Sequence, residues 1–460
     1  MYTIDFTKPI HVHFIGIGGI SMSGLAEILL KEGFTISGSD AKVSRLTNHL
    51  KTLGATIHSP QMPSNITDDI NLVVYTAAIH PDNPEFKYVK EKGIPMLSRA
   101  QLLGQMMKNY SMPIAVSGTH GKTTTTSLAS HVLMAAGCDP TISVGGILPS
   151  IHGNIRVGHS GVFITEACEY TNSFLSFFPK ISLILNIDAD HLDFFKDIDD
   201  IRHSFHEFAA LLPSDGTLII DADTPEYKVI VKGLDCEVIT YGLKNRDADY
   251  TAAGITFDKI GHPSFTCLYH GEPVGTFSLQ IPGTHNVSNA LATIALARKL
   301  NLDSGIIKKG FETFNGTDRR FQYKGKVHGV TVIDDYAHHP TEITATLKSA
   351  ANYPHKETWC VFQPHTYTRT KALLDDFAKA LTLSDKVILV DIYAAREKNT
   401  LGISSRDLQK KIQALGTECY YFPTFEEVEN FCLENCHPDD MLITMGAGDV
   451  VKIGEKLIKM

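Results

Sequence analysis

Short, continuous apolar runs recur along the chain, each about the length of a strand and each followed by a polar turn and a helical segment. The runs are His11 to Ile15, Phe34 to Gly38, Val73 to Thr76, Ile114 to Val116, Val162 to Thr165, Ile181 to Leu185, Val330 to Ile333, Thr358 to Phe362, Lys386 to Leu389 and Met441 to Thr444. Unbroken apolarity over four to six residues is the pattern of strands covered on both faces of a parallel sheet. Helical segments lie between them, among them Arg99 to Met107 and Ile201 to Leu212. Shorter, more alternating segments between Asp221 and Leu279 predict an antiparallel portion. The strand-to-helix pattern restarts twice, so the expected fold is α/β with three domains. These are a Rossmann-like N-terminal domain over 1–108, a central P-loop ATPase-like domain with a mixed sheet over 109–312, and a C-terminal Rossmann-like α/β domain over 313–460. No tandem repeat or low-complexity linker separates them.

Composition narrows the classes. A chain of 460 residues with 43% hydrophobic content has the make-up of a multidomain globular protein. Its net charge of -9 is a poor footprint for nucleic acid, where basic stripes are expected. The longest apolar runs are too short to cross a bilayer, and the N-terminus lacks the apolar segment of a signal peptide. A cytoplasmic protein without stable membrane insertion is expected. Eight scattered cysteines, of which only Cys432 and Cys436 are close in sequence, fit reduced thiols better than a structural zinc site. Nothing in the sequence specifies an oligomeric state.

The segment Ile114 to Thr125 carries the strongest chemistry. A buried strand leads into Gly118-Thr119-His120-Gly121-Lys122-Thr123-Thr124, whose Gly-x-x-Gly-Lys-Thr spacing is two residues shorter than the usual Walker motif. The glycines let backbone N–H groups turn toward phosphate oxygens, and the following helix adds free donors and the positive end of its dipole. Lys122 supplies a cation, and Thr123 a hydroxyl suited to a phosphate-bound magnesium ion. Two other apolar strands end in Glu166-Ala167-Cys168-Glu169 and in Asn186-Ile187-Asp188-Ala189-Asp190-His191. Ligands of open α/β sheets gather outside the carboxyl ends of strands, so these acids are expected beside the phosphate loop. Glu166 suits magnesium; His191 can hold a second divalent ion or be a hydrogen-bonded strand-end histidine. The loop Gly16-Ile17-Gly18-Gly19-Ile20-Ser21 has serine where a dinucleotide fingerprint has its third glycine, so NAD, another pyrophosphate or no ligand all remain compatible with it. Asp40 is either a ribose acceptor or a solvated strand-end carboxylate.

In the last third, Arg319 and Arg320 precede Phe321, and Arg369 and Arg396 each follow an apolar strand and loop. Either surface charge or a fork for carboxylate or phosphate accounts for each. Asp335 can bond a ribose or cap the helix after Pro340, His338 can reach a terminal phosphate, and Tyr336 can shape an acceptor pocket. Asn286 is expected close to a helix N-cap and Asn289 in the turn that follows. Neither a His-Glu-x-x-His zinc motif nor a Gly-x-Ser-x-Gly elbow is present.

Taken in order, these segments resemble the Mur ligases of bacterial peptidoglycan synthesis. The marks are Gly16 to Ile20, Gly118 to Thr125, Glu166 to Phe174, Asn186 to Leu192, His285 to Asn289, Arg319 to Phe321, Asp334 to Glu342, Pro364 to Thr370 and Tyr393 to Glu397. The resemblance covers essentially the whole chain. It implies UDP-sugar binding by the first domain, ATP and Mg2+ (or Mn2+) binding by the second, and amino-acid binding with cleft closure by the third. The implied reaction joins L-alanine to the lactyl carboxylate of UDP-N-acetylmuramate, with ATP as phosphoryl donor and an acyl phosphate as intermediate. Under it, Thr123, Glu166 and His191 are metal ligands. Gly118 to Thr124, Asn286, Asn289, Arg320 and Asp335 form the nucleotide site, and Lys122, His191, Arg369 and His338 act in the reaction. Two positions depart from the family pattern. His206 stands where several members carry a carbamylated lysine, and Thr366 where arginine is common. A muropeptide-recycling ligase, a folate polyglutamylating ligase, an NAD-dependent oxidoreductase and a silent UDP-sugar sensor are the competing readings.

Overall fold

The structure is a computed structural model that describes residues 2–395 and 397–460; Arg396 therefore lies outside the described residues. Three sheets organise it. The first has five parallel strands in the order Thr56–His58, Thr35–Ser39, His11–Ile15, Leu72–Tyr75 and Met96–Ser98. The chain winds outward in both directions from His11–Ile15, which opens a crevice at that strand's carboxyl end. The glycine loop sits there. Gly16 adopts φ +86, and Asp40 Oδ2 accepts from the Gly18 N–H at 2.9 Å. Asp40 thus braces the loop through at least one oxygen.

The second sheet has ten strands, with Met112–Ser117 flanked by Ile181–Ile184 and Val162–Glu166. Both neighbours run parallel to it, pairing Ser117 with Ile184 and Val116 with Glu166. This register brings two acid-bearing strand ends level with the phosphate loop. The antiparallel portion is narrower than the sequence pattern predicts. Glu237–Gly242 still pairs parallel with Thr217–Asp221, because the short helix Tyr227–Val231 supplies a crossover between them. Within this stretch antiparallel pairing starts with Tyr250–Phe257, Pro263–Tyr269 and Glu272–Ser278, and the opposite edge of the sheet carries a further antiparallel pair, Thr141–Leu148 with Gly153–Arg156.

The third sheet has six strands. The hairpin Gln322–Val327 and Val330–Asp335 is antiparallel, and the remaining pairs are parallel. Its carboxyl edge, bearing Asp335, Pro364 and Gly446, faces the phosphate loop of the second sheet.

The first two sheets share one apolar core. Phe174 stacks on Phe208 with ring centroids 4.6 Å apart, in a cluster that also holds Leu102, Leu103 and Met106 of the helix Arg99–Met107. That helix approaches its neighbour so closely that a Cβ on Gly104 would lie 1.9 Å from the Ser176 carbonyl oxygen. No helix of the described residues is long and apolar enough to cross a membrane.

Candidate active site

The helix Lys122–Ala135 starts directly after Gly121, which adopts φ +84. No side chain caps it, whereas Ser44, Ser98 and Thr424 cap other helices with reciprocal hydrogen bonds. Its first N–H groups are therefore available to an anion. A Cβ on Gly121 would meet Asn289 Oδ1 at 2.8 Å, so only glycine leaves room for the loop above that amide. Asn289 in turn donates to Asn286 Oδ1 at 3.0 Å, and Asn286 donates to the Pro282 carbonyl at 2.7 Å. Both are buried and support the loop from below. The helix they belong to is capped by Gly283, where the chain turns at φ +101 one residue before Thr284, so Asn286 lies close to the N-cap, three residues after it.

Lys122 folds back over the loop. Its ammonium donates to Glu169 Oε2 at 2.9 Å, to the Thr119 carbonyl at 3.0 Å and to the Gly118 carbonyl. Burial works against its charge, but the neighbouring Glu169 outweighs that and holds its pKa above the ordinary lysine value. Glu169 is almost wholly buried, and its other oxygen lies 4.0 Å from His191 Nε2. The sequence pattern placed this carboxylate beside the phosphate loop but gave it no role. Its only signal was a second acid three residues after Glu166 at a strand end.

Thr123 Oγ1 donates to Glu166 Oε2 at 3.1 Å, and the Gly145 N–H donates to Glu166 Oε1. A hydroxyl and a carboxylate oxygen thus lie side by side at the loop, the oxygen-rich pairing that Mg2+ prefers. These two residues fit the expected metal. His191 stands apart from them, beside Glu169 and under the ring of Tyr170, at a centroid distance of 4.5 Å. It adopts φ +56, in the left-handed region that non-glycine residues seldom occupy. His206, the residue at the carbamylated-lysine position, bonds the Ile230 carbonyl at 2.9 Å and makes no contact with these groups.

The third domain reaches this loop through several side chains. Arg320 Nη2 lies 3.4 Å from Thr123 Oγ1, and its guanidinium sits 5.2 Å from the Tyr336 ring centroid. Arg319 has a different task. It donates to Asp334 at 2.9 Å and to the Gly446 and Gly448 carbonyls at 2.7 and 3.1 Å, tying the carboxyl edge of its own sheet together. Asp335 accepts from the N–H groups of Phe321 and Ala337 at 2.9 and 2.8 Å and from Thr346 Oγ1 at 3.1 Å, and burial pushes its pKa up to about 6. It does not cap the helix Pro340–Ala350, which His339 caps instead, because the chain needs four more residues after the strand before turning into that helix.

His120 turns its ring away from the loop. Nδ1 bonds Glu342 at 3.2 Å and Nε2 bonds Asp188 at 3.3 Å. Burial alone would favour the neutral ring, but the two carboxylates prevail and raise its pKa to about 9. Thr341 Oγ1 donates to the same Asp188 oxygen at 2.6 Å. Glu342 also accepts from the His338 N–H at 3.0 Å. Arg369 donates to Asp190, and its Nη1 lies 3.1 Å from His365 Nδ1. Burial lowers His365 to about 4, so its neutral nitrogen accepts that bond. The residues expected to act together are therefore brought to one seam between the second and third sheets, with Glu169, Asp190 and Glu342 as the anions that hold their cations in place.

Comparison with known proteins covers the same three units. Residues 11–111 match the "Mur ligase family, catalytic domain", residues 116–297 the "Mur ligase middle domain" and residues 319–448 the "Mur ligase, glutamate ligase domain". The UDP-N-acetylmuramate–L-alanine ligases of Lachnospira eligens and Agathobacter rectalis are 60% and 61% identical over 459 residues, covering 100% of both chains in each case. The structure is also similar to UDP-N-acetylmuramate-alanine ligase from Thermotoga maritima, with a TM-score of 0.81 and 29% identity over 98% of each chain. A murein peptide ligase from Psychrobacter arcticus shares the fold at a TM-score of 0.72, 24% identity and 98% coverage of each chain. Since the matched segments follow one another through one chain and close relatives align with it from end to end, the protein belongs to the Mur ligase family.

Proposed function

We propose that this protein joins L-alanine to the lactyl carboxylate of UDP-N-acetylmuramate at the expense of ATP, through an acyl phosphate, giving UDP-N-acetylmuramoyl-L-alanine, ADP and phosphate. The relatives that match it end to end carry that activity in their names. The geometric observation that carries the reading is the 3.4 Å approach of Arg320, from the third domain, to Thr123 of the phosphate loop. It supports a triphosphate held between two domains, with cations on both sides.

In this reading the free N–H groups at the start of Lys122–Ala135 and the Lys122 ammonium bind the phosphates, and Thr123 and Glu166 hold Mg2+, with Mn2+ as an alternative. When bound, the ion neutralises phosphate oxygens that would otherwise repel the incoming carboxylate. His191, 4.0 Å from Glu169, is a further ligand candidate for a divalent ion. Asn286 and Asn289 fix the loop, and Asp335 keeps the third domain's nucleotide-facing turn in shape. His338 and Arg369, held by Glu342 and Asp190, line the side from which the amine arrives. The first domain, to about residue 108, takes the UDP moiety at its glycine loop, and the seam between 109–312 and 313–460 excludes water from the activated carbonyl. A cytoplasmic site of action fits this reading, with no helix of the described residues long and apolar enough to cross a membrane.

The test is phosphate release by the purified protein with ATP, Mg2+ and UDP-N-acetylmuramate, comparing L-alanine, glycine, L-serine and tripeptide. Release should depend on L-alanine and fall with the others. Glycine lacks one methyl, a difference of only about 1–3 kcal/mol in a small apolar pocket, so some release with it is expected. Preference for the tripeptide, or release indifferent to any amine, would overturn the assignment.

A further inference from the structure

We propose that His120, Asp188 and His339 form a binding site for one Zn2+-class ion, separate from the Thr123–Glu166 pair, which joins the second sheet to the third. Each of the three residues offers a ligand atom, and these atoms all lie within 4.8 Å of one another. His120 Nε2 is 3.3 Å from Asp188 Oδ2, and His339 Nδ1 is 4.0 Å from the same oxygen. Zinc–ligand bonds of about 2.0–2.2 Å set donors roughly 3.3–3.6 Å apart in a tetrahedron. One edge already has that length, the second needs to shorten by well under roughly 1 Å, and the third, between the two histidines, lies within 4.8 Å. His339 is 4% exposed; its Nδ1 accepts only a long 3.3 Å bond from the Thr341 N–H, which the ion would displace, and its Nε2 has no hydrogen-bond partner among the described residues.

The surroundings are those of a metal-binding histidine. His120 Nδ1 bonds Glu342 Oε1 at 3.2 Å, which fixes the ring and leaves Nε2 directed at Asp188. A carboxylate behind a ligating imidazole is the usual outer partner of such sites. The donor set also sets the selectivity. Two imidazoles and one carboxylate suit Zn2+ or Co2+, whereas Mg2+ requires oxygen ligands and keeps much of its water. Three protein ligands leave a fourth position open. As the ion enters, the proton shared between His120 Nε2 and Asp188 leaves to solvent, so no other reactant is required.

The three ligands come from separate places in the fold. His120 belongs to the phosphate loop, Asp188 to the turn after Ile181–Ile184, and His339 to the cap of Pro340–Ala350. An ion there pins the third domain against the phosphate loop.

Co2+ serves as the probe, added to the full-length protein in excess Mg2+ without nucleotide. One equivalent should develop the intense visible bands of a four-coordinate ion, and Zn2+ should abolish them by displacement. Asp188→Asn should remove the bands, and Glu342→Gln should weaken binding about 10–100-fold. Glu166→Gln should leave both the bands and the affinity unchanged. His339→Ala also removes a helix cap, so Asp188→Asn and Glu342→Gln, each checked for native circular dichroism, carry the decision. A wild-type spectrum with only weak six-coordinate bands overturns the proposal. So do bands that survive Asp188→Asn at unchanged affinity, or bands lost in Glu166→Gln.

Discussion

Arg369 grips a single oxygen of Asp190 from across the domain seam, with Nη2 at 2.9 Å and Nε at 3.1 Å. Both side chains are about nine-tenths buried. Burial would favour a protonated Asp190, but the guanidinium outweighs it and holds the carboxyl well below the usual carboxylate range. Breaking such a pair by removing one partner costs about 3–5 kcal/mol, because the other charge is left buried and alone. Arg369→Met should therefore lower Tm more than the double change Arg369→Met with Asp190→Leu. A thermal-unfolding cycle on the four proteins checks this. Additive single effects would show that the two residues are not energetically coupled.

Lys122 and Glu169 separate stability from catalysis. Lys122→Met strips a buried carboxylate of its counter-charge and also removes the cation from the phosphate loop. Turnover should fall by about 10²–10³, the loss typical of one electrostatic stabiliser, and Tm should fall with it. Adding Glu169→Gln should restore much of the Tm and none of the turnover. Steady-state phosphate release and calorimetry on both variants provide the check.

Glu166 should show itself through magnesium. With Glu166→Gln, Thr123 loses a carboxylate neighbour and the site loses one charged oxygen. The Mg2+ concentration for half-maximal activity should rise at least about tenfold, since even outer partners of a metal site cost about 10–100-fold. UDP-N-acetylmuramate binding, assigned to a different domain, should change little. Titrating Mg2+ at saturating substrates tests the first statement, and calorimetric binding of the sugar nucleotide tests the second.

Asp221 makes a pH-dependent contribution. Burial raises its pKa to about 7, against about 3.9 in an unfolded chain. The folded state therefore holds an extra proton between those values. The stabilisation is fully present below the unfolded value and is lost as pH rises through about 7. At about 1.4 kcal/mol per unit this amounts to up to about 4 kcal/mol. Asp221→Asn keeps an acceptor for the Asp223 N–H and a partner for Ser288, yet cannot ionise. Its Tm should fall less than that of the wild type between pH 5 and pH 8, as followed by thermal unfolding in matched ionic strength.

Much of the framework was legible in the pattern of residues, for stated reasons. The helix Arg99–Met107 lies where its apolar spacing put it, since Ser98 and Gln101 form a reciprocal cap at its start. The strands Val162–Glu166 and Ile181–Ile184 were visible because full burial demands unbroken apolarity. The parallel pairing of Glu237–Gly242 was not, because a five-residue crossover helix leaves too little periodicity to read. The helix from Thr284 starts close to its asparagines, with Gly283 supplying the turn by conformation and not by a side-chain bond.

Local sequence determined which residues have the means for phosphate and metal chemistry: a glycine turn, Lys122, Thr123 and a strand-end Glu166. Their backbone geometry is set by neighbours in the chain, so spacing alone reveals them. Which anion restrains each cation was decided only in three dimensions. Glu169 holds Lys122 across 47 residues, Asp190 holds Arg369 across 179, and Glu342 holds His120 across 222. Such pairs form where separate sheets meet, and charge pairing depends on distance in space, which a linear chain does not encode locally.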